Sequence, residues 1–335
     1  MRVAVLAPVA WRTPPRHYGP WEQVASNVAE GLVQAGVEVT LFATADSQTK
    51  GALDAVVQQG YEDEGGQDAK VLECLHISNL MEKAEKFDII HNHFDFLPLT
   101  YSRLITTPIV TTIHGFSSSK IIPVYQKYAH VGHYVSISQA DRSPQLPYIA
   151  TVYNGLRVED FTFTAEPEEY LLFLGRIHPD KGTADAIQIA RQSNKRLFIA
   201  GIIQDQAYFD EKVKPFLNEE IIFIGHVGPE KRNHLLGHAS ALLHPIHFNE
   251  PFGLSVAEAM LCGTPVIAFN KGAMPELIQS GQTGFLVNTV RQAAEAAGQL
   301  SRINRSYCRQ WAETNFSQQK MTNDYLAVYR QILNG

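Results

Sequence analysis

The sequence predicts an α/β protein made of two Rossmann-like domains, each with a doubly wound parallel sheet. Short apolar runs alternate with helical segments along the chain, which is the pattern of parallel strands joined by helices. The alternation pauses at the polar, Pro-containing stretch 157–168 and then restarts. A chain of 335 residues is long enough for about two domains. We therefore expect domains at 1–160 and 161–315 that face a central cleft, with ligands outside the carboxyl ends of the strands.

The first domain begins with a short apolar strand at residues 3–6. A helix follows, in which apolar residues recur at helical spacing from Trp21 to Val33. Gly36 ends this helix, because glycine adopts the left-handed conformation that often closes a helix. Each later apolar run of the domain is short enough to be one buried strand. These further strands are predicted at residues 37–43, 88–91, 109–113 and 134–137.

The second domain repeats the pattern. Its apolar runs predict strands at residues 170–174, 196–200, 221–224, 241–244 and 265–269. Residues 316–335 form a C-terminal segment with apolar residues at helical spacing, including Met321, Tyr325 and Tyr329. The sequence alone permits this helix to belong to the second domain.

Composition limits the classes of partner. The net charge of −6, without a long charged block, gives no basic surface for nucleic acid. Three widely spaced cysteines argue against a disulfide framework and for a reducing compartment. No apolar run approaches the roughly 18 residues of a membrane span, and the N-terminus does not read as a signal peptide. We expect a cytoplasmic protein with no transmembrane segment, for which peripheral contact with a membrane stays open.

The most informative stretch lies between Glu250 and Glu258. Glu250 lies on a loop that continues through Phe252 and Gly253, and a helix begins near Leu254. A helix N-terminus exposes backbone N–H groups that bind anions such as phosphate. Carboxylates beside such a site would repel the anion itself, but they suit hydroxyl groups attached to it. The combination predicts a site for a nucleotide sugar.

This block resembles the E-x7-E signature of the family 4 retaining glycosyltransferases, which have the GT-B fold. A second block, from Gly175 and Arg176 to Lys181, resembles the G-R-x4-K-G motif of the same family. The two cations precede a helix and would stabilise the negative charge that builds on a departing nucleoside diphosphate. The resemblance implies that Glu250 positions the donor sugar and that Glu258 binds the ribose.

The resemblance extends to three further segments. Gly19 lies in a loop that matches a Tyr-Gly-Gly loop of relatives, although Pro20 replaces the second glycine and donates no N–H. A histidine at the position of His114 reaches the donor sugar and β-phosphate in relatives; a structural histidine is the alternative. His226 and Val227 resemble a segment that reads the base through backbone groups. The final helix, 316–335, is expected to cross back to the first domain, as in GT-B enzymes.

His91, His93 and Asp95 form a possible metal site, because alternate residues of a strand share one face. These residues lie at a strand end where the chain is expected to turn, so the three side chains need not share one face. Substrate contact and structural hydrogen bonding are the alternatives. The sequence contains no D-x-D metal motif. We expect no metal and no other cofactor, since GT-B relatives need no divalent metal.

The sequence therefore predicts a retaining hexosyltransferase whose donor is a UDP- or GDP-sugar. Its acceptor would be the hydroxyl of a carbohydrate or another small molecule. The catalytic residues implied by the resemblance are His114, Arg176, Lys181 and Glu250. Two alternatives remain on the same scaffold: an epimerase- or phosphorylase-like enzyme, and a non-catalytic subunit that binds nucleotide sugars.

Overall fold

The computed structural model describes residues 1–64, 68–115 and 118–335. The chain forms two compact units, which are described separately below. The first unit comprises Met1–Gly155 together with Gln318–Gly335, and the second comprises Leu156–Ser317. The sequence-based boundaries, at 160/161 and 315/316, lie within about five residues of these divisions.

The first unit contains a seven-stranded, wholly parallel sheet with the order β3-β2-β1-β4-β5-β6-β7. Its central strands are apolar, as expected for strands that are covered on both faces. The seven strands are β1 (Arg2–Leu6), β2 (Glu38–Phe42), β3 (Ala52–Asp54), β4 (Ile89–Asn92), β5 (Ile109–Ile113), β6 (Gly132–Ser136) and β7 (Tyr148–Thr151). The helices are α1 (Pro20–Gln34), α2 (Tyr61–Glu64), α3 (Ala69–Met81) and α4 (Ile122–Tyr128).

The second unit contains a six-stranded parallel sheet with the order β10-β9-β8-β11-β12-β13. Its strands are β8 (Tyr170–Leu174), β9 (Arg196–Ala200), β10 (Ile221–Gly225), β11 (Ala241–His244), β12 (Val266–Phe269) and β13 (Gly284–Val287). The helices are α5 (Thr183–Ser193), α6 (Gln206–Tyr208), α7 (Pro229–His238), α8 (Leu254–Leu261), α9 (Met274–Leu277), α10 (Val290–Ala297) and α11 (Arg305–Phe316).

The C-terminal helix, α12 (Gln318–Asn334), belongs to the first unit and packs against α1. The Gln318 side chain donates a hydrogen bond to the Asn27 carbonyl at 2.7 Å. The two helices approach closely at Gly31, where an added Cβ would lie 2.1 Å from Oγ1 of Thr322. Tyr325 and Tyr329 are fully buried, so the apolar face of this helix completes the core of the first unit.

The prediction of two doubly wound parallel sheets is confirmed. Each sheet has its first strand near the centre, with the order reversing beside it, and this is where such sheets bind ligands. In the part of the chain that the structure describes, no helix combines the length and the apolarity needed to cross a membrane.

Candidate functional site

Three loops of the second unit meet at the carboxyl ends of its central strands. The loops follow β8, β11 and β12, which are neighbours in the sheet, so parallel pairing brings their ends to one edge. The backbone N–H of His247, after β11, donates to the Asp180 carbonyl, after β8, at 2.8 Å. The N–H of Ala273, after β12, donates to the Glu250 carbonyl at 2.9 Å. These bonds fix the loops to one another.

Gly182 determines how the first of these loops enters α5. Its φ angle of 74° lies in the left-handed region, which side chains disfavour. A Cβ at this position would also lie 1.9 Å from the carbonyl oxygen of Pro245 in the neighbouring loop. Glycine is therefore required at the end of the sequence motif, because it allows the two loops to touch.

Lys181 and Glu250 form an ion pair at this edge, with Nζ and Oε2 separated by 2.6 Å. Their side chains are only 15% and 13% exposed, so water screens the pair weakly. The Lys181 ammonium also lies 4.6 Å from the ring centre of Phe248. The structure thus joins two predicted site residues that come from different loops.

The carboxyl group of Glu250 is held in its charged form. Burial raises its pKa, but His244 and the Lys181 ammonium lower it more strongly, and the pKa falls to about 2. The Nε2 atom of His244 lies 3.6 Å from Oε2 of Glu250, which is too long for a hydrogen bond. Glu250 is therefore a carboxylate throughout the neutral pH range.

Gly272 holds the backbone of Glu250 and was not identified from the sequence. Its φ is 53°, and an added Cβ would lie 2.3 Å from the Glu250 nitrogen and 2.4 Å from its carbonyl oxygen. His244, the last residue of β11, was also missed. A glycine three residues after the buried strand β12 was the available signal for the first of these, whereas nothing in the sequence indicated that His244 faces Glu250.

Helix α8 begins at Leu254, as predicted, and Gly253 precedes it with a φ of 100°. No side chain of the described residues caps this N-terminus. Phe252 is buried and packs edge-on against Phe316. The first amides of α8 consequently keep the anion-binding capacity that the sequence predicted.

Glu258 lies one turn into α8 and is buried. Its Oε1 is 3.6 Å from the guanidinium of Arg232, which is on α7. Burial raises the pKa of Glu258, and the positive charge of Arg232 opposes that rise. Arg232 is a further residue that the sequence did not identify, because its helix gives no motif.

The remaining predicted residues of this unit lie at the same edge. Gly175 follows β8 directly, and a Cβ there would meet only the Phe173 ring, at 3.7 Å. Arg176 is half-buried and donates a hydrogen bond to Gln204. The exposed His226 and the buried Val227 follow β10, at the outer side of the sheet.

In the first unit, His114 follows β5 and is buried. Its Nε2 lies 2.9 Å from Nδ1 of His93, and the ring of Trp21 stacks on it with centroids 5.5 Å apart. Burial lowers the pKa of His114 to about 3, so the imidazole is neutral at neutral pH. His114 can therefore exchange hydrogen bonds with a ligand, but it does not bring a positive charge.

The possible metal site does not form a set of ligands around His91. Both ring nitrogens of His91 are engaged: Nε2 lies 2.7 Å from Oγ1 of Thr112, and Nδ1 accepts from or donates to the Tyr329 hydroxyl at 2.6 Å. Asp95 accepts a hydrogen bond from the Tyr125 hydroxyl. The structural alternative therefore holds for His91, which anchors α12 to the sheet.

Gly19 precedes α1 with a φ of 150°, and Pro20 occupies the first turn of the helix, as expected. A Cβ at Gly19 would lie 2.9 Å from Oε2 of Glu22 and 3.2 Å from the Trp11 ring. The tight loop therefore needs glycine at this position.

Family models match both parts of the chain. The model described as Glycosyltransferase Family 4 matches residues 21–156, and the model described as Glycosyl transferases group 1 matches residues 159–317. Among curated relatives, glycogen synthase of Mycobacterium tuberculosis is 25% identical, over 95% of this chain and 90% of that protein. The sequence-based assignment to this family is confirmed.

Solved structures share the fold. AviGT4, a glycosyltransferase involved in avilamycin A biosynthesis, matches with a TM-score of 0.75 and 23% identity, covering 100% of this chain and 98% of that one. The Anabaena protein HepE, solved in complex with UDP and glucose, matches with a TM-score of 0.74 and 17% identity, covering 99% and 100%. At these identities the likeness shows the fold alone.

Proposed function

Because this chain belongs to the family 4 glycosyltransferases, we propose that it is a retaining enzyme that moves a hexose from a nucleoside-diphosphate sugar to an acceptor hydroxyl. The donor would be a UDP- or GDP-sugar, and the acceptor a carbohydrate or another small molecule. HepE, which shares the fold, was solved with UDP and glucose, and this supports the donor class. Free thiols at Cys74, Cys262 and Cys308 agree with the cytoplasmic location that we propose.

The observation that carries the proposal is the largely buried Lys181–Glu250 ion pair beside the N-terminus of α8. A site for a nucleotide sugar needs cationic groups for the diphosphate and acceptors for sugar hydroxyls. The second unit presents Lys181 and the first amides of α8 for the former role, and Glu250 and Glu258 for the latter. Gly175 leaves room beside them, since an added Cβ would meet no backbone atom.

We propose a same-face reaction. The bond between C1 of the hexose and the β-phosphate oxygen breaks, and its electron pair leaves with the diphosphate. The acceptor oxygen forms the new bond to C1 on the same face, and its proton moves to the β-phosphate oxygen. Arg176 and Lys181 stabilise the departing diphosphate, while the Glu250 carboxylate favours the positive character that develops at C1.

For the first unit we propose that His114 donates a hydrogen bond to the donor and that Gly19 lets the backbone approach it. The neutral state of His114 supports a role in positioning, because its pKa of about 3 prevents it from neutralising a phosphate. His226 and Val227, in the second unit, would read the base through their backbone groups.

A thermal-shift screen of UDP- and GDP-sugars tests the donor class. A donor present at 100 times its Kd adds about 2.7 kcal/mol to the free energy of unfolding, which gives a clear rise in Tm. Stabilisation by one of these sugars, and by its nucleoside diphosphate alone, is the expected result. A chain that none of them stabilises would not use a UDP- or GDP-sugar as its donor.

Replacing Glu258 by Ala should raise the donor KM and leave kcat nearly intact. The ribose is bound equally in the ground state and in the transition state. Losing its hydrogen bonds to Glu258 therefore weakens donor binding in both states alike and does not change the barrier from bound donor. Hydrogen bonds to a charged group contribute about 1.5–3 kcal/mol, which corresponds to a KM increase of roughly 10- to 150-fold. Steady-state kinetics with varied donor would measure this.

The exposed Glu295, on α10, provides the matched control, and Glu295→Ala should keep the wild-type KM. A fall in kcat with an unchanged KM in Glu258→Ala would contradict the assignment of Glu258 to the ribose.

Turnover should persist in an excess of chelator. In the proposed site Arg176, Lys181 and the α8 N-terminus neutralise the negative charge of the diphosphate. No divalent cation is then needed for this role. Product formation would be compared in EDTA, in Mg²⁺ and in Mn²⁺. Complete loss of activity in EDTA that Mg²⁺ or Mn²⁺ restores would show that the diphosphate is neutralised by a metal instead.

A further inference from the structure

Outside the donor site, a cluster of metal-ligating side chains lies where α7 ends. Glu168 precedes β8, and His234 and His238 lie one turn apart on α7. One ligand atom from each of the three side chains lies within 4.8 Å of the others. We propose that these three residues bind a divalent transition metal of the Zn²⁺ class and that the bound metal fixes the segment before β8 to the end of α7.

The types of side chain favour this class of metal. Two imidazoles and one carboxylate are one of the ligand sets that bind Zn²⁺ with a water completing its coordination. Imidazole prefers Zn²⁺, Ni²⁺ and Cu²⁺, whereas Mg²⁺ and Ca²⁺ prefer oxygen ligands alone. Residues four positions apart on a helix share one face, and the rings of His234 and His238 have centroids only 4.0 Å apart.

Hydrogen bonding sets the orientation of one ligand. The Nδ1 atom of His238 lies 2.9 Å from the carbonyl oxygen of His234. A carbonyl can only accept, so Nδ1 carries the hydrogen and the lone pair of the neutral ring is on Nε2. A backbone carbonyl that fixes the tautomer of a metal-binding histidine in this way is a common arrangement.

The backbone of Glu168 is held beside the histidines. Its N–H donates to the His238 carbonyl at 2.7 Å, and its own carbonyl accepts from the Ser240 hydroxyl at 2.7 Å. The side chain of Arg305 donates to the carbonyls of Thr164 and Ala239, which joins the same two segments again. The three ligands therefore approach one another without any change in the backbone.

The side chains of the three ligands are free to adjust around a metal. Ligand atoms around a tetrahedral Zn²⁺ at about 2.0–2.2 Å lie roughly 3.3–3.6 Å apart, and the three ligand atoms here already lie within 4.8 Å of one another. Glu168 and His234 are exposed and His238 is half-buried, so their side chains can turn and a metal can enter from solvent.

The test measures Zn²⁺ bound to the full chain by equilibrium dialysis, with Mg²⁺ as the comparison metal. The wild type should bind one Zn²⁺ with a Kd in the micromolar range or below, and no Mg²⁺. Because the chain has 13 histidines, variants decide which ones bind. His234→Gln and Glu168→Gln should each weaken binding about tenfold or more.

Two matched controls should bind Zn²⁺ as the wild type does: Glu169→Gln, at the exposed neighbour of Glu168, and His130→Gln, at an exposed histidine of the first unit. Zn²⁺ should also slow hydrogen exchange of the backbone around residues 162–170 in the wild type and in neither ligand variant. Equal Zn²⁺ binding by ligand and control variants, or no binding by the wild type, would overturn the proposal. Neither readout depends on transferase activity.

Discussion

Replacing Glu250 by Gln should lower kcat by about 10²-fold or more while changing the donor KM little. The amide keeps the shape of the side chain but removes the negative charge, which we propose acts as C1 becomes positive. A pKa of about 2 means that this charge is present in the wild type at every pH at which activity would be measured. The loss should therefore be the same across the neutral pH range.

The Lys181–Glu250 ion pair allows a second test of the role of Glu250, with a double variant. Because the two side chains form one largely buried pair, the effects of Lys181→Gln and Glu250→Gln should not add in the double variant. Glu220→Gln, which neutralises an exposed glutamate paired with Arg196, should retain full activity. If Glu250→Gln changes only KM, the carboxylate merely holds a hydroxyl. Tm measurements would confirm that each variant is folded at the assay temperature.

Replacing Gly182 by Ala should lower the free energy of unfolding by about 2 kcal/mol or more. The left-handed φ alone costs an alanine roughly 1–2 kcal/mol. The added Cβ would also lie 1.9 Å from the Pro245 carbonyl oxygen, so the loop after β11 would have to move. For a unit of this size, the change corresponds to a Tm lower by roughly 4–8 °C or more. Because Lys181 is the preceding residue, donor affinity should fall as well.

Gly281 is the matched control for this prediction. Its φ is 83°, and an added Cβ would meet nothing within 4 Å, so Gly281→Ala pays the conformational cost without the clash. The difference between the two variants measures the contact between the loops. Equal destabilisation by Gly182→Ala and Gly281→Ala would mean that the loop after β11 moves away from the added Cβ without a measurable energetic cost. Gly182 would then not fix the position of Lys181.

The central strands could be predicted from the sequence, whereas the edge strands β3, β7 and β13 were missed and only the edge strand β10 was predicted. Strands β5, β8, β9 and β11 match their predicted ranges because each is rich in apolar residues and largely buried. Strand β3 has three residues and is largely exposed, and β7 is only half-buried along its length. Burial at an edge is incomplete, so the apolar runs of these two strands are short, with two residues in β3 and three in β7.

The site was predictable as separate motifs, but its internal contacts were not. The positions of Glu250, Glu258 and Lys181 follow from local patterns of loop and helix. The ion pair between Lys181 and Glu250 depends on the order of β8 and β11 in the sheet, which no local pattern contains. The same reason explains why Gly272 was missed, since only the folded chain brings it against the Glu250 backbone.

The histidines of the first unit give a similar example. His91 lies on β4 and His93 directly follows that strand, and the spacing of the two histidines in the sequence permitted a metal site. The structure pairs His91 with Thr112 and Tyr329, the second of which is 238 positions away on the C-terminal helix. This long-range hydrogen bond favours a structural role for His91 over a metal site. It could be identified only once the position of α12 was known.

The most direct test of the proposed activity is the release of nucleoside diphosphate from a panel of UDP- and GDP-hexoses, with water as the acceptor. We expect the wild type to hydrolyse at least one donor slowly, to release the hexose first in the anomeric configuration of that donor, and to lose this activity with Glu250→Gln. Binding of a donor without any release would contradict a catalytic role and indicate a non-catalytic subunit. Release of the opposite anomer would contradict retention.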